Sequence, residues 1–181
     1  MNGYERDAKA ELTAWQQKML RKPSFFNGIS KRMQTAINKR IPEKIHAAIT
    51  SVIKQMVRGV LFGSIHTSSE VVQHGHLQQR EDAALKKIER YRNTAAIEGG
   101  VTGAGGILLG LADFPILIGI KIKLLFEIAA VYGFDTDDYR ERIYLLHIFE
   151  LAFSSDEHRR KVYLGMIDWD NRVQGLPKDI H

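Results

Sequence analysis

An all-α fold is predicted by three features of the 181-residue sequence. Apolar residues recur at helical spacing in almost every segment, and no segment shows the convincing alternation of a half-buried strand. Only 4 prolines interrupt the chain, so long helices can form. With 44% hydrophobic and 26% charged residues, the composition fits one globular domain with a core of its own.

The first part of the chain predicts three helices. The first covers Tyr4–Leu20 and stops near Pro23, and the second covers about Asn27–Lys39. The third begins at Pro42, because proline is favourable in a first helical turn. We expect this third helix to face the core with one broad apolar stripe. The stripe consists of Ile45, Ile49, Val52, Ile53, Met56, Val57, Val60 and Leu61.

A polar segment follows, in which His66, Glu70, His74 and His76 lie close together in sequence. Imidazoles and a carboxylate can bind a metal, but their spacing lacks the pattern of a structural zinc site. A polar loop or short helix is therefore the favoured interpretation, and no metal site is predicted.

Three helical regions are expected beyond this loop in addition to a glycine-rich hairpin. One begins at Leu77, and the next is expected to have Thr136 as its cap, because Asp137 and Asp138 in its first turn would complement the helix dipole. The last is expected to start at Ser154 and to run toward Trp169, with a glutamate at the capping-box position. In the helix from Leu77, the apolar positions at helical spacing are Leu77, Ala84, Leu85, Ile88 and Tyr91.

The segment GGVTGAGGILLGLADFP contains six glycines in an apolar stretch that ends at Asp113. Each glycine inside a helix costs about 0.5–1 kcal/mol relative to alanine, and close approach of a second helix can offset that cost. We therefore predict that Thr94–Leu111 packs antiparallel against Pro115–Tyr132. The packing face is formed by Gly99, Gly103, Gly106 and Gly110.

The apolar part of this hairpin is too short to cross a bilayer by itself. Residues 99–112 carry no charge, but they span only about 21 Å as a helix, whereas a spanning helix needs about 20 residues. On the returning arm, Lys123 can pair with Glu127, while Lys121 needs another partner or water. We favour a hairpin buried in the protein core and leave insertion into a membrane as the alternative.

Charge is concentrated in the N-terminal third. Residues 1–63 hold 12 Lys/Arg against 4 Asp/Glu, which gives +8, and the remainder holds 14 against 17, which gives −3. Basic residues interleaved with aromatic and aliphatic ones suit an anionic membrane surface. From the residues alone a solvated helix face is the favoured interpretation and a membrane surface is the alternative, while nucleic acid is not expected because no nucleic-acid module accompanies the charge. The basic residues are Lys18, Arg21, Lys22, Lys31, Arg32, Lys39, Arg40 and Lys44.

Several classes of enzyme are excluded by the residues present. The chain has no cysteine, which removes thiol nucleophiles, disulfides and cysteine-based zinc sites. The glycine-rich segment lacks the preceding strand and the Gly-Lys-Ser/Thr of a phosphate-binding loop, and the Gly-x-Ser-x-Gly pattern of serine hydrolases is absent. Glu98 and Asp113 would lie about 22 Å apart on one helix, too far to share a proton. No catalytic residue and no cofactor are predicted.

The ends of the chain predict a cytoplasmic location. The N-terminus carries acidic residues and no apolar run, unlike a secretory signal peptide. Residue 2 is asparagine rather than glycine, and cysteine is absent, so no lipid anchor is expected. Any contact with a membrane must then come from side chains.

The residues Asn93–Asp135 and Tyr139–Arg160 closely resemble the core signature of the EcsC protein family. The glycine-rich run, Asp-Phe-Pro, Tyr-Gly-Phe-Asp and Ala-Phe-Ser-Ser occur together and in this order. The resemblance extends to Glu11–Leu20 and Ile41–Ile49, so it covers nearly the whole chain. It is specific for membership and carries no catalytic mechanism.

The resemblance implies a function at a membrane, because the family takes its name from a bacterial operon that encodes an ABC transporter. It implies a non-catalytic accessory or interaction protein at the cytoplasmic face, whose partner is the membrane surface or a membrane protein such as a transporter component. The alternative is a hydrolase or peptidase with an unrecognised site, for which the candidates are Asp113, Glu98, His147 and Glu150.

The resemblance also bears on domain organisation. Members of the family continue past the region DWDNRVQGLPKDI into a further helical segment with a second glycine-rich run. Residues 1–181 are therefore expected to form a single helical domain of a truncated member.

Asp113 is expected to cap the helix that follows it, because its carboxylate can accept hydrogen bonds from the amides of Ile116 or Leu117. On this hypothesis Asp113→Asn keeps most of the stability, whereas Asp113→Ala lowers the free energy of unfolding by about 0.5–2 kcal/mol. Thermal melts of the two variants check the prediction. Equal destabilisation by asparagine and alanine would contradict it.

Overall fold

The computed structural model of the chain describes residues 2–21, 43–61, 75–102 and 114–176. All regular secondary structure within these ranges is helical, which confirms the all-α prediction. The helices are α1 (Gly3–Leu20), α2 (Glu43–Leu61), α3 (Leu77–Thr102), α4 (Phe114–Val131), α5 (Tyr139–Phe153), α6 (Asp156–Ile167) and α7 (Trp169–Val173).

Local hydrogen bonds explain where the helices begin. α1 starts with a capping box, because the Glu5 amide donates to the Asn2 side chain at 2.8 Å and the Asn2 amide donates to the Glu5 carboxylate at 3.0 Å, which satisfies two amides that the helix leaves free. α5 is capped by Asp138, whose carboxylate accepts from the Arg140 amide at 2.8 Å. The expected cap at Thr136 is therefore wrong by two residues.

The start of α6 also differs from the expected one. Ser155 occupies the N-terminal cap position without a side-chain hydrogen bond, and Ser154 ends α5. The Ser154 hydroxyl donates back to the Glu150 carbonyl at 2.6 Å, a local bond that serine readily makes at a helix terminus. The hydroxyl that was expected to start one helix therefore completes the end of the preceding one.

The helix that starts at Leu77 continues without a break through Thr94, where a separate hairpin arm was expected to begin. The Thr94 hydroxyl donates to the Arg90 carbonyl at 3.1 Å, inside the same helix, so Thr94 is an interior residue of α3. α3 therefore contains Glu98 and Gly99, while Gly103, Gly106, Gly110 and Asp113 lie outside the described residues. The glycine packing face and the Asp113 cap stay predictions.

One hydrophobic core joins α2, α4 and α5. Val57, on the expected stripe of α2, packs against it, while Ile53 on the same stripe is 39% exposed. Phe126 and Ile122 of α4 are almost completely buried. The buried members of this core are Met56, Val60, Ile118, Ile122, Phe126, Ala129 and Leu145.

A second hydrophobic core joins α1, α5 and α6. Leu151 of α5 and Tyr163 of α6 are buried in it, and Trp15 of α1 contacts the Tyr163 ring edge-on, with ring centroids 5.5 Å apart. Ile148 packs against both this core and the first one. The buried members of the second core are Met19, Leu151, Val162, Tyr163 and Met166.

Polar side chains connect α3 to α4. The Lys87 ammonium lies 2.8 Å from the Glu127 carboxylate, and the Tyr91 hydroxyl donates to the same carboxylate. Nearer the start of α3, the Arg80 guanidinium donates to the Tyr132 carbonyl. The order of these contacts shows that α3 and α4 run antiparallel. Of the apolar positions identified in α3, Ala84 is buried, whereas Leu85 is 61% exposed and Ile88 is 41% exposed.

Of the two lysines of α4, Lys123 lacks the partner expected for it, whereas Lys121 has a partner outside its own helix. Glu127 binds Lys87 and Tyr91 of α3, so the expected ion pair with Lys123 is replaced by a longer-range attraction. Lys121 lies over the Phe153 ring, with its ammonium 4.8 Å from the ring centroid. A cation over an aromatic face is attracted to the ring quadrupole, so Lys121 links α4 to the end of α5.

A glycine turn connects α4 to α5. Gly133 has φ 92°, a conformation that favours glycine. Its amide donates to the Ala130 carbonyl at 3.0 Å, and the Phe134 amide donates to the Ala129 carbonyl at 3.0 Å. This pair of bonds is a Schellman motif, and it fixes the position of Phe134 directly after the helix.

Within the described ranges, no helix combines the length and the apolar character that a bilayer span requires.

Replacement of Glu127 by alanine is expected to loosen the contact between α3 and α4. The substitution removes the acceptor of Lys87 and Tyr91, and hydrogen bonds to charged groups contribute about 1.5–3 kcal/mol. Glu89→Ala is the control, since Glu89 lies on α3, its side chain is 67% exposed and its ion pair with Arg92 is 4.0 Å long. Chemical denaturation at pH 7 should lower the free energy of unfolding for Glu127→Ala only.

The effect of this substitution should depend on pH. Burial alone would raise the pKa of Glu127, but the hydrogen bonds from Lys87 and Tyr91 outweigh it and hold the pKa below its ordinary value of 4.5. A depressed carboxyl pKa contributes stability above the ordinary pKa, and that contribution is lost as pH falls through the folded-state pKa. The difference between wild type and Glu127→Ala should therefore shrink below about pH 4.5. A difference that grows on acidification would contradict this assignment.

Candidate functional site

The basic residues predicted for a membrane surface are only partly within the described ranges. Lys18 and Arg21 lie at the C-terminal end of α1 and are exposed. Lys44 lies in α2, and its side chain is outside the description. Lys22, Lys31, Arg32, Lys39 and Arg40 lie outside the described residues.

The packing of α1 on α6 adds a third basic residue to Lys18 and Arg21. The Arg160 guanidinium donates to the Leu20 carbonyl at 3.2 Å, which brings the start of α6 to the end of α1. We call Lys18, Arg21 and Arg160 the basic patch. A basic residue in the last turn of a helix also complements the helix dipole, so Lys18 has a structural role there as well.

Apolar side chains lie beside the basic patch. Leu20, the last residue of α1, directly precedes Arg21 and is 39% exposed. Trp15, one turn earlier, is 43% exposed while one edge contacts Tyr163. Basic residues next to a partly exposed indole and an aliphatic side chain resemble the composition of protein surfaces that lie at a lipid headgroup layer.

A second polar cluster forms around Glu150 of α5. One carboxylate oxygen lies 3.2 Å from His147 Nδ1, and the other lies 2.7 Å from His158 Nε2. His147 precedes Glu150 by three residues on the same helix face, whereas His158 comes from α6. Burial alone would raise the pKa of Glu150, but the bonds from His158 and His147 outweigh it and lower the pKa below its ordinary value.

The geometry of this cluster suits a structural clamp between α5 and α6. An ionised carboxylate only accepts hydrogen bonds, so both facing imidazole nitrogens carry a hydrogen. Both Glu150 oxygens are thus used by histidines, and the nearby Ser154 hydroxyl donates to the Glu150 carbonyl. A serine nucleophile would instead need its hydroxyl bonded to a base. Within the described ranges, no group of three or more His, Asp or Glu side chains has the arrangement of a metal site.

Aromatic contacts extend this cluster toward the end of the chain. The His147 ring meets Trp169 of α7 edge-on, with centroids 5.7 Å apart, and Trp169 also contacts Tyr144 at 5.3 Å. Trp169 therefore contacts both an aromatic residue and a histidine of α5.

Of the candidate catalytic residues, the structure brings together His147 and Glu150. The side chain of Glu98 and all of Asp113 lie outside the description, so their role stays a prediction. His158, Trp169 and Arg160 were not identified from sequence. His158 follows Glu150 by eight residues across a helix junction, and Arg160 is 140 residues from its partner Leu20, so neither contact has a periodic signal in the sequence.

The clamp should be measurable as a coupling energy between Glu150 and His158. Exposed ion pairs contribute about 0.2–1 kcal/mol, so a double-mutant cycle with Glu150→Gln and His158→Gln should give a coupling in that range near pH 6. As a control, Glu150→Gln and His76→Gln should be additive, since His76 lies at the start of α3. The coupling should disappear when acid protonates Glu150, whose folded-state pKa is lowered. A coupling that persists at pH 2 would contradict the clamp.

Comparison with known proteins connects this architecture to a family. The family model described as "EcsC protein family" matches residues 6–180. Protein EcsC of Bacillus subtilis (strain 168) is 44% identical over 167 residues, which are 92% of this chain and 71% of that protein. Uncharacterized protein YdbA of the same organism is 24% identical over 180 residues, 88% of this chain and 66% of YdbA. No solved structure gives a significant match. These matches confirm the resemblance found in the sequence, and the chain belongs to the EcsC family.

Proposed function

We propose that this EcsC-family chain is a non-catalytic interaction protein that binds the cytoplasmic face of a membrane through its basic N-terminal third. The observation that carries the proposal is the basic patch, in which Arg160 of α6 joins Lys18 and Arg21 of α1 beside the partly exposed Leu20. Two distant parts of the chain thus contribute cations to one surface that also offers apolar contact.

Charge complementarity supports a membrane surface as the binding partner. Cytoplasmic leaflets carry anionic lipids, and each basic residue near the headgroups contributes about 1 kcal/mol of attraction. The net charge of +8 in residues 1–63 adds to the attraction of the basic patch. Binding of this kind is reversible and salt-sensitive, because exposed charges are screened within about 10 Å at 0.1 M salt.

The proposal includes a membrane protein as a second binding partner of this chain. The resemblance described above implies work beside an ABC transporter, and attachment to the same membrane would raise the local concentration of the chain near such a partner. We propose a transporter component as that partner. The hydrolase alternative has less support, because the Glu150 carboxylate and the Ser154 hydroxyl are both held in local hydrogen bonds.

Cosedimentation with vesicles tests the membrane proposal. The full chain should bind phosphatidylglycerol vesicles at low salt, should be released by about 0.5 M salt because of screening, and should bind phosphatidylcholine vesicles weakly. Lys18→Gln with Arg21→Gln should lower the partition coefficient by about tenfold or more, since each basic residue contributes about 1 kcal/mol.

A charge-matched variant distinguishes the contribution of the basic patch to vesicle binding from that of the net charge of the protein. Arg90→Gln with Arg92→Gln removes the same charge from exposed positions of α3 and should lower binding much less. Equal loss with both pairs would mean that binding follows total charge alone. Equal binding to anionic and neutral vesicles, or none at low salt, would overturn the proposal.

A further inference from the structure

A two-part cleft lies between the end of α4, the outer side of α5 and the segment α6–α7. Its inner part is a pocket of about 150 Å³ and its outer part has a volume of about 300 Å³. Phe134, Glu141 and Tyr144 line both parts, so the two volumes adjoin each other at these three residues. The cleft is separate from the basic patch, which lies where α1 meets α6.

The inner pocket is suited to a small apolar group. An apolar cavity of about 150 Å³ stays dry and binds benzene in a protein engineered to contain one, so a phenyl or short alkyl group is the right size for this pocket. The side chains that line it, besides the three shared residues, are largely apolar. They are Leu125, Ile128, Ala129, Tyr132, Leu145 and Ile148.

The outer part combines aromatic rings with carboxylates. Phe134, Tyr144 and Trp169 line it together with Glu141 and Asp170, and the Tyr144 and Trp169 rings pack with centroids 5.3 Å apart. Aromatic faces attract ammonium groups through the ring quadrupole, and nearby carboxylates add direct charge attraction. An anion would be repelled by both carboxylates.

Glu141 stands at the junction of the two parts without a bonded cation. In the described part of the chain, its carboxylate has no hydrogen bond and no ion pair, while the adjacent Arg140 is bound to Asp138. Burial raises the pKa of Glu141 above its ordinary value, and the negative charges of Asp138 and Asp135 add to that rise against the attraction of Arg140. A partly buried carboxylate without a partner is unfavourable, and a bound cation would relieve that cost.

We propose that the Glu141 cleft binds a small organic cation, with the ammonium group between Glu141 and the aromatic rings and a phenyl or short alkyl group in the inner pocket. The carboxylate selects charge, and the inner pocket selects the size of the apolar group. This inference does not depend on the membrane proposal, since the two surfaces share no residue.

Three phenyl-containing probes of similar size but different charge test whether binding depends on the charge of the ligand or only on its shape. Isothermal titration calorimetry on the full chain should detect saturable binding of 2-phenylethylammonium, and much weaker binding of 2-phenylethanol and 3-phenylpropanoate. Trp169 fluorescence locates the site in a Trp15→Phe background, because the chain contains 2 tryptophans. Equal binding of the neutral or anionic probe, or no binding of the cation at millimolar concentration, would overturn the proposal.

Two substitutions test the two parts of the cleft. Glu141→Gln should weaken binding of 2-phenylethylammonium by about tenfold or more, since a bond to a charged group is lost, while Glu89→Gln on the exposed face of α3 should leave it unchanged. Ala129→Leu should weaken binding by filling the inner pocket. Thermal melts identify any variant that is not folded. If a folded Glu141→Gln protein binds the cation as well as wild type does, Glu141 does not recognise it and the proposal fails.

Discussion

The architecture depends on the burial of α5 between two hydrophobic cores. Leu145 belongs to the core with α2 and α4, Leu151 belongs to the core with α1 and α6, and Ile148 contacts both. A helix that must bury side chains toward two different partners has its rotation about its own axis fixed, because a small rotation would expose one set of apolar residues. The other surfaces of α5 are then fixed as well.

The fixed rotation of α5 also determines where its polar side chains lie. Glu141, Tyr144, His147 and Glu150 recur at intervals of three residues along α5, so successive members adjoin in a stripe that turns by about 60° around the helix at each step. The beginning of the stripe lines the cleft, and its end forms the clamp with His158. Trp169 contacts both Tyr144 and His147, so α7 connects the two halves of the stripe. Trp169 therefore links the cleft to the clamp, although Glu141 and Glu150 themselves lie on different sides of α5.

The contact between α3 and α4 has a different physical basis. α4 is apolar over most of its length, but it receives α3 through Glu127, which binds Lys87 and Tyr91. Such a polar contact is specific in register, since only one alignment lets the carboxylate meet both donors. It is also sensitive to acid, because its stability requires the ionised carboxylate. The Lys87–Glu127 pair stabilises a contact between two helices, whereas Lys18 and Arg21 of the basic patch are exposed, and the two sets have different consequences for stability and for binding.

Much of the secondary structure could be predicted from the sequence alone, because helix formation depends on local features. These are helical periodicity, the scarcity of proline and the residues at helix ends. α1 and α4 begin and end within one residue of the predicted segments Tyr4–Leu20 and Pro115–Tyr132, and the family could be identified from the order of short motifs. The caps of α5 and α6 were misplaced because neighbouring Asp, Ser and Thr residues compete for the same role, and local hydrogen bonds choose among them.

Only the tertiary structure decided which distant residues meet. The partner of Glu127 came from another helix rather than from Lys123, and Arg160 reached Leu20 across 140 residues of chain. The cleft was likewise invisible in the sequence, since Glu141 and Tyr144 become part of a pocket only when Phe134 and Trp169 pack beside them. Periodicity determines which face of a helix is apolar, but the choice of partner depends on the packing of all the helices together, and no local pattern in the sequence encodes it.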